Sequence, residues 1–276
     1  MVAPRNQIFY PASFNDFFAA WERFPLAVPY AGGTDIIWRQ GKTFLELPSV
    51  ILCLENLNDL QKITRTEHYL EIGSMVKLNK IIRLGKIVPE VLCSCLENIG
   101  GVQLRNIATI GGNICCPQLL DVSAPLSALD AQYEFRGGHA SRWVSAARFH
   151  ALEEHTEMEK HEILTRIRLP LHRWDYSMYK KFYSEDLHHN KVLVFLARTH
   201  KNILSDIKVI YKGEAILRNK NGEGILLGKN LPLNRKTAGE FVENWKEFLA
   251  SHEEMDEFSK NELINCIEIN VLNLSE

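Results

Sequence analysis

Two glycine pairs are the residues best placed to do chemistry in this sequence: "AGGTD", Ala31 to Asp35, and "TIGGN", Thr109 to Asn113. Each follows a short apolar run. Glycine reaches positive φ and has no Cβ, so successive backbone N–H groups can line one concave surface. Such a surface takes phosphate oxygens without any lysine or arginine. Hydrogen bonds to charged groups are worth about 1.5–3 kcal/mol each, so two loops with several donors would hold a diphosphate firmly. Thr34, Thr109 and Asn113 add side-chain donors at the same places. One Gly-Gly alone reads as an ordinary turn. Two of the same form, each beside a threonine and a short polar residue, favour a ligand cradle, without naming the ligand.

Cys115 and Cys116 follow the second pair at once and raise a metal or redox centre as the alternative. Zinc and iron–sulfur sites pair Cys-x-x-Cys spacings or add nearby histidines. Here Cys93 and Cys95 are one residue apart, Cys115 and Cys116 are adjacent, and Cys53 and Cys266 stand alone. The spacing predicts no metal site, and the cysteines read as small buried hydrophobes, bystanders to the glycines. His188 and His189 lack companions and read as a polar loop. "GEGILLGKN", Gly222 to Asn230, has three residues between Gly224 and Gly228 where a phosphate-binding P-loop needs four, and reads as a turn between strands. There is no G-x-G-x-x-G, no G-x-S-x-G and no H-E-x-x-H.

Composition narrows the class. A chain of 276 residues suggests about two domains. A net charge of −2 gives no electrostatic reason to expect nucleic acid as a partner. No apolar run is long enough to suggest a membrane span. The segment "MVAPRNQIFYPASFND" lacks the apolar stretch of a signal peptide, so a cytoplasmic protein with reduced cysteines is expected.

The elements that must position the glycines follow from periodicity. Ser13 is a helix N-cap with Asp16 in the first turn. Phe14, Phe17, Phe18, Trp21 and Phe24 then recur at helical spacing, an aromatic face that reads as core, and Pro25 ends the helix. "LAVPY" is a strand running into the first glycine pair. "VILCL" and "YLEIGSM" are strands and "LNKIIRL" a helix. Pro89 to Ile99 is a helix, with Gly100 as its stop. "NIATIGGNI" reads as strand and turn, "APLSALDA" as a short helix, and "QYEFRG" and "ILTRIRLPL" as strands. Beyond Trp174 come "SMYKKFYS", "KVLVFLARTH", a hairpin in "IKVIYKGEAILR" and two amphipathic helices, a separate α+β unit.

Taken in order, "YAGGTDII", "IGSMVKLNKI", "GGVQLRNIATIGGNI", Asp121, "APLSALDA", "EILTRIRLP" and "MYKKF" resemble the FAD-binding subunit of the molybdenum hydroxylases, the xanthine dehydrogenase and carbon monoxide dehydrogenase type. The resemblance covers nearly the whole chain and is strongest from Tyr30 to Ala131. It implies an α+β protein of the p-cresol methylhydroxylase-like FAD-binding fold. Two α/β FAD-binding subdomains would span 1–58 and 59–172, and a C-terminal α+β domain 173–276. By matching positions, it implies that FAD is held by Tyr30, Ala31, Gly32, Gly33, Thr34, Asp35 and Ile36. From the second subdomain Thr109, Ile110, Gly111, Gly112 and Asn113 would join them, Asp121 would hydrogen-bond FAD, and Ile99, Leu164 and Lys180 would line the flavin or its chain.

It further implies an oxidoreductase subunit with no catalytic side chain and no metal of its own. A molybdenum-cofactor subunit would hydroxylate the substrate, a [2Fe–2S] subunit would relay electrons to FAD, and FAD would pass them to NAD⁺ or another acceptor. Two other readings are a self-contained FAD oxidase of the same fold and a flavin-free scaffold. The chain departs from the family pattern where the segment from Asn113 to Asp121 is shortened and carries the two cysteines, and in "KFYSEDLHH" after Lys180.

Overall fold

Ser13 opens the first helix as its side chain predicts, accepting a hydrogen bond from Asp16 N at 3.1 Å. The computed structural model describes residues 6–40, 46–138, 140–151, 158–182 and 190–275. His188, His189 and most of the divergent stretch after Lys180 lie outside the described residues. The chain divides into two compact units, Met1–Leu171 and His172–Glu276.

The first unit begins with β1 (Gln7–Phe9), α1 (Phe14–Arg23), β2 (Val28–Tyr30), α2 (Thr34–Gln40) and β3 (Val50–Cys53). The strands form a parallel sheet in the order β1-β3-β2. Helical spacing places Phe17, Phe18 and Trp21 on the buried side of α1, packed with Leu52, Leu54 and Met75. Phe14 and Phe24 border the same cluster, so the aromatic face is core, as expected.

A second sheet follows. Its elements are β4 (Ile63–Arg65), β5 (Tyr69–Gly73), α3 (Leu78–Ile82), α4 (Glu90–Glu97), α5 (Val102–Arg105), α6 (Ile110–Ile114), α7 (Ser123–Ala128), β6 (Gln132–Arg136), β7 (Ser141–Ser145), α8 (Ala146–Ala151) and β8 (Ile163–Pro170). The strands pair antiparallel in the order β4-β5-β8-β6-β7. The two-residue period of β8 buries Ile167 and Leu169 and turns Arg166 and Arg168 outward. There Arg166 forks onto Glu134 of β6 with two bonds of 2.7 Å, and Arg168 bonds Glu71 of β5 at 2.8 Å, so cross-strand ion pairs fix the register.

The second unit is a four-stranded antiparallel sheet under helices. Its elements are β9 (Tyr176–Phe182), β10 (Lys191–His200), β11 (Ile203–Lys212), β12 (Ile216–Arg218), α9 (Lys220–Leu226), α10 (Arg235–Ala250) and α11 (Glu257–Asn273), with strand order β12-β11-β10-β9. Phe241, Trp245 and Leu249 of α10 and Leu263, Ile267 and Val271 of α11 bury against Phe195 and Val209. "GEGILLGKN" corrects the sequence expectation. Gly222 to Leu226 are helical, and the left-handed turn waits until Gly228, φ 76°. Asn219 caps α9 by accepting from Gly222 N at 2.9 Å, and Leu226 is fully buried. Cap and burial together outweigh the poor helix propensity of two glycines. Among the described residues no helix is long and apolar enough to cross a membrane.

Candidate functional site

At the end of β2 the Tyr30 carbonyl still accepts from Leu54 N at 3.0 Å, the last rung of the parallel ladder. The chain then turns at Gly33, φ 68°, and enters α2. A Cβ on Gly33 would fall on the Tyr30 hydroxyl, and one on Gly32 would fall on the Ile107 carbonyl. Left-handed backbone and close approach thus both require glycine here. The amides of Gly32, Gly33, Thr34 and Asp35 have no acceptor among the described residues. They are the free N–H groups of a helix start, the arrangement that binds anions.

The second pair is built differently, which corrects the expectation of a strand and turn of the same form. Thr109 bridges to Lys77 in antiparallel fashion. Its hydroxyl then caps the one-turn helix α6, accepting from Gly112 N at 3.0 Å. Ile110 N and Gly111 N donate to the carbonyls of Val76 and Ser74 at 3.0 and 2.8 Å, and Asn113 N donates to Thr109 O at 3.1 Å. These amides are therefore spent inside the protein. A Cβ on Gly111 would stand 2.6 Å from Ser74 Cβ, so this glycine lets α6 lie against the end of β5. Gly112 is exposed, and its missing Cβ would lie 3.9 Å from that of Ala31. The first loop offers donors, and the second offers a smooth wall.

Between them opens a cavity of about 560 Å³, within the usual range for small-molecule sites. It is lined by Tyr30, Ala31, Gly32, Gly33, Thr34, Asp35, Ile36, Thr109, Gly111, Gly112, Asn113 and Leu164 of the expected residues. Four expected residues are not in the lining. Ile110 is buried on the core side of α6. Ile99 is buried just beyond α4, where Arg105 Nη1 donates to the carbonyls of Glu97, Ile99 and Gly100. Asp121 sits in the turn before α7, whose N-cap residue is Val122. Lys180 is an exposed residue of β9 in the second unit.

Sequence reasoning passed over Ser74, Met75, Arg39 and Glu162 and read Cys115 and Cys116 as bystanders, yet all six line the cavity. Ser74 stood inside the quoted "IGSMVKLNKI", and its place after an apolar strand was the only signal. Its Oγ and the Asn113 Oδ1 are buried with no hydrogen-bond partner among the described residues. Buried polar atoms of that kind call for a ligand or water.

The cysteines are more than small hydrophobes. Arg39 Nη2 donates to Cys116 Sγ at 3.0 Å and forms an ion pair with Asp35, one turn earlier on α2. Cys116 Sγ in turn donates to Asp35 Oδ1 at 3.5 Å. Burial pushes the Cys116 thiol up, with Asp35 adding to the rise against the opposing pull of Gln118 N–H and Arg39, so the sulfur is a neutral S–H. Burial pushes the Cys115 thiol up to about 12. Burial alone would raise the carboxyl of Glu162, which is also in the lining. The two bonds from Arg142, 2.9 and 2.7 Å, and the Glu159 amide reverse this and lower it.

Residues 4–172 match the family model described as FAD binding domain in molybdopterin dehydrogenase. The chain is 27% identical over 243 residues to Xanthine dehydrogenase 2 of Arabidopsis thaliana, a match covering 80% of this chain and 18% of that protein. It is 29% identical over 209 residues to the glyceraldehyde dehydrogenase medium chain of Sulfolobus acidocaldarius, covering 74% of each. Among solved structures, a chain of carbon monoxide dehydrogenase from Hydrogenophaga pseudoflava superposes with a TM-score of 0.82 at 21% identity, covering 100% of this chain and 98% of that one. That likeness establishes a shared fold.

Proposed function

We propose a function from one premise: this chain belongs to the family of FAD-binding domains of molybdopterin dehydrogenases. Its role is that of the FAD-binding subunit of a molybdenum hydroxylase, an oxidoreductase component that joins the redox centres of partner subunits to an external acceptor. The observation that carries this is the cavity itself. Gly32, Gly33, Thr34 and Asp35, whose amides have no acceptor among the described residues, line it together with Gly111 and Gly112, and so do Ser74 and Asn113, whose buried Oγ and Oδ1 have no partner among those residues.

These features fit a dinucleotide. The amides of Gly32 to Asp35 would take the diphosphate oxygens, with Thr34 beside them. The bare Cα of Gly112 would let the ligand approach α6. Ser74 and Asn113 would satisfy their orphaned atoms on it, while Met75, Ile163 and Leu164 exclude water from its apolar part. Once bound, FAD supplies the exchange between single electrons from [2Fe–2S] carriers and the hydride taken by NAD⁺ or another acceptor. No side chain of this chain need act as acid or base. The assignment of Ile99, Ile110, Asp121 and Lys180 rests on the family resemblance alone.

The parallel sheet falls within 1–58 and the antiparallel five-stranded sheet within 59–172, which supports the two-subdomain reading of the p-cresol methylhydroxylase-like fold, with 173–276 as the C-terminal domain. A molybdenum subunit and an iron–sulfur subunit are the proposed partners. The test is purification from the native cell. Yellow protein that copurifies with subunits carrying molybdenum and iron is the expected result. Colourless protein that ignores added FAD would overturn the flavin reading, and substrate oxidation by the isolated chain would replace it with a self-contained oxidase.

A further inference from the structure

We infer that Arg39, held on Asp35 and Cys116, makes the cavity selective for a phosphorylated flavin by cancelling the carboxylate that stands next to the amide cradle. The inference rests on the flavin reading above and names a residue which the family resemblance does not.

The charges on the wall set the problem. Its ionised side chains among the described residues are Asp35, Arg39 and Glu162. Glu162 is neutralised by the two-pronged bond from Arg142. Asp35 lies in the first turn of α2, level with the free amides that are to receive an anion. A bare carboxylate there repels a diphosphate and competes for the same N–H groups. Arg39 follows four residues later on the same helix face, and its guanidinium reaches back to Asp35. Its charge therefore sits at the first turn, beside the cradle, although its Cα belongs to the second.

Cys116 fixes that position from the segment after α6. As a neutral thiol it accepts from Arg39 at 3.0 Å and donates to Asp35 at 3.5 Å, using both of its hydrogen-bonding roles. The clasp thus ties α2 to the segment after α6. A ligand without phosphate would gain nothing from the cancelled charge, so the effect should discriminate between flavins.

The experiment titrates wild type, Arg39→Met, Arg39→Lys, Asp35→Asn and the Asp35→Asn/Arg39→Met double variant with FAD and with riboflavin. Flavin fluorescence gives affinity, and ADP gives displacement of FAD. Arg39→Met should weaken FAD and ADP about tenfold, equivalent to about 1.4 kcal/mol, and riboflavin less than about twofold. Arg39→Lys should recover most of the loss. Removing the carboxylate as well should restore FAD binding in the double variant, an outcome that a merely structural role for Arg39 does not produce. Equal losses for FAD and riboflavin, or no rescue in the double variant, would overturn the inference while leaving FAD binding by wild type intact. Wild type that binds neither flavin nor ADP would overturn the flavin reading and this inference together.

Discussion

Gly111 and Gly112 are neighbours in sequence with opposite duties. Gly111 admits Ser74 to the face of α6, while Gly112 leaves space on the cavity side. Gly111→Ala should therefore destabilise the protein by about 1–3 kcal/mol through overpacking, measured by chemical denaturation. Gly112→Ala should cost less stability, at most the Thr109 cap at about 1 kcal/mol, yet weaken FAD binding more. Equal effects of the two on both quantities would refute this division. Ser74→Ala should leave the melting temperature unchanged or raised, since it deletes an unpaired buried hydroxyl, and weaken FAD by roughly threefold to tenfold. That the two glycine pairs deserve notice was legible in the sequence, because they share one form, and the structure brings Gly32, Gly33, Gly111 and Gly112 to the lining of one cavity. Which glycine packs and which admits ligand was not legible. The answer lies in Ser74 against Gly111 and Ala31 beside Gly112, both distant in sequence.

At the scale of elements, caps announced themselves and short helices did not. Ser13 and the aromatic period of α1 read directly, as did the two closing helices. The one-turn α6 was read as a turn, and α9 as a turn between strands. Each is too short for periodicity, and each is held by a cap and by tertiary packing rather than by propensity. Thr109→Val should expose this dependence by removing the cap on α6. A loss of about 0.5–2 kcal/mol is expected in denaturant, together with weakened FAD binding as the cavity wall frays. In the second unit Asp256 caps α11, accepting from Ser259 N at 2.8 Å. The Ser259 hydroxyl and amide hold its carboxyl at about 2, below its ordinary value of 3.8. Because the folded value is the lower one, the cap's contribution is complete above about pH 4 and is lost as the pH falls toward 2. Asp256→Ala should accordingly cost about 0.5–2 kcal/mol at neutral pH. The gap between variant and wild type should close on acidification, and a gap that persists at acid pH would show that the carboxylate's charge is not what caps the helix.

For the molecule as a whole, the alternation of strands and helices separated a cofactor-binding region from a later α+β segment, and the ordered motifs indicated the family that residues 4–172 match. Removal of FAD from the purified protein should lower its melting temperature, and added FAD should restore it, because a ligand that binds only the folded state stabilises it by mass action. A melting temperature indifferent to FAD would count against the cavity as its site. The sequence by itself determined the glycine turn before α2, since positive φ ahead of a helix start is a local requirement of backbone geometry. It also determined the core face of α1, because helical spacing is a local property. Only the tertiary structure decided that the two glycine loops are unlike, that Ser74 faces the cavity, and that Cys116 completes a charge clasp with Asp35 and Arg39. The clasp depends on side chains 77 and 81 residues apart meeting in the lining of one cavity, and no local pattern encodes such a meeting.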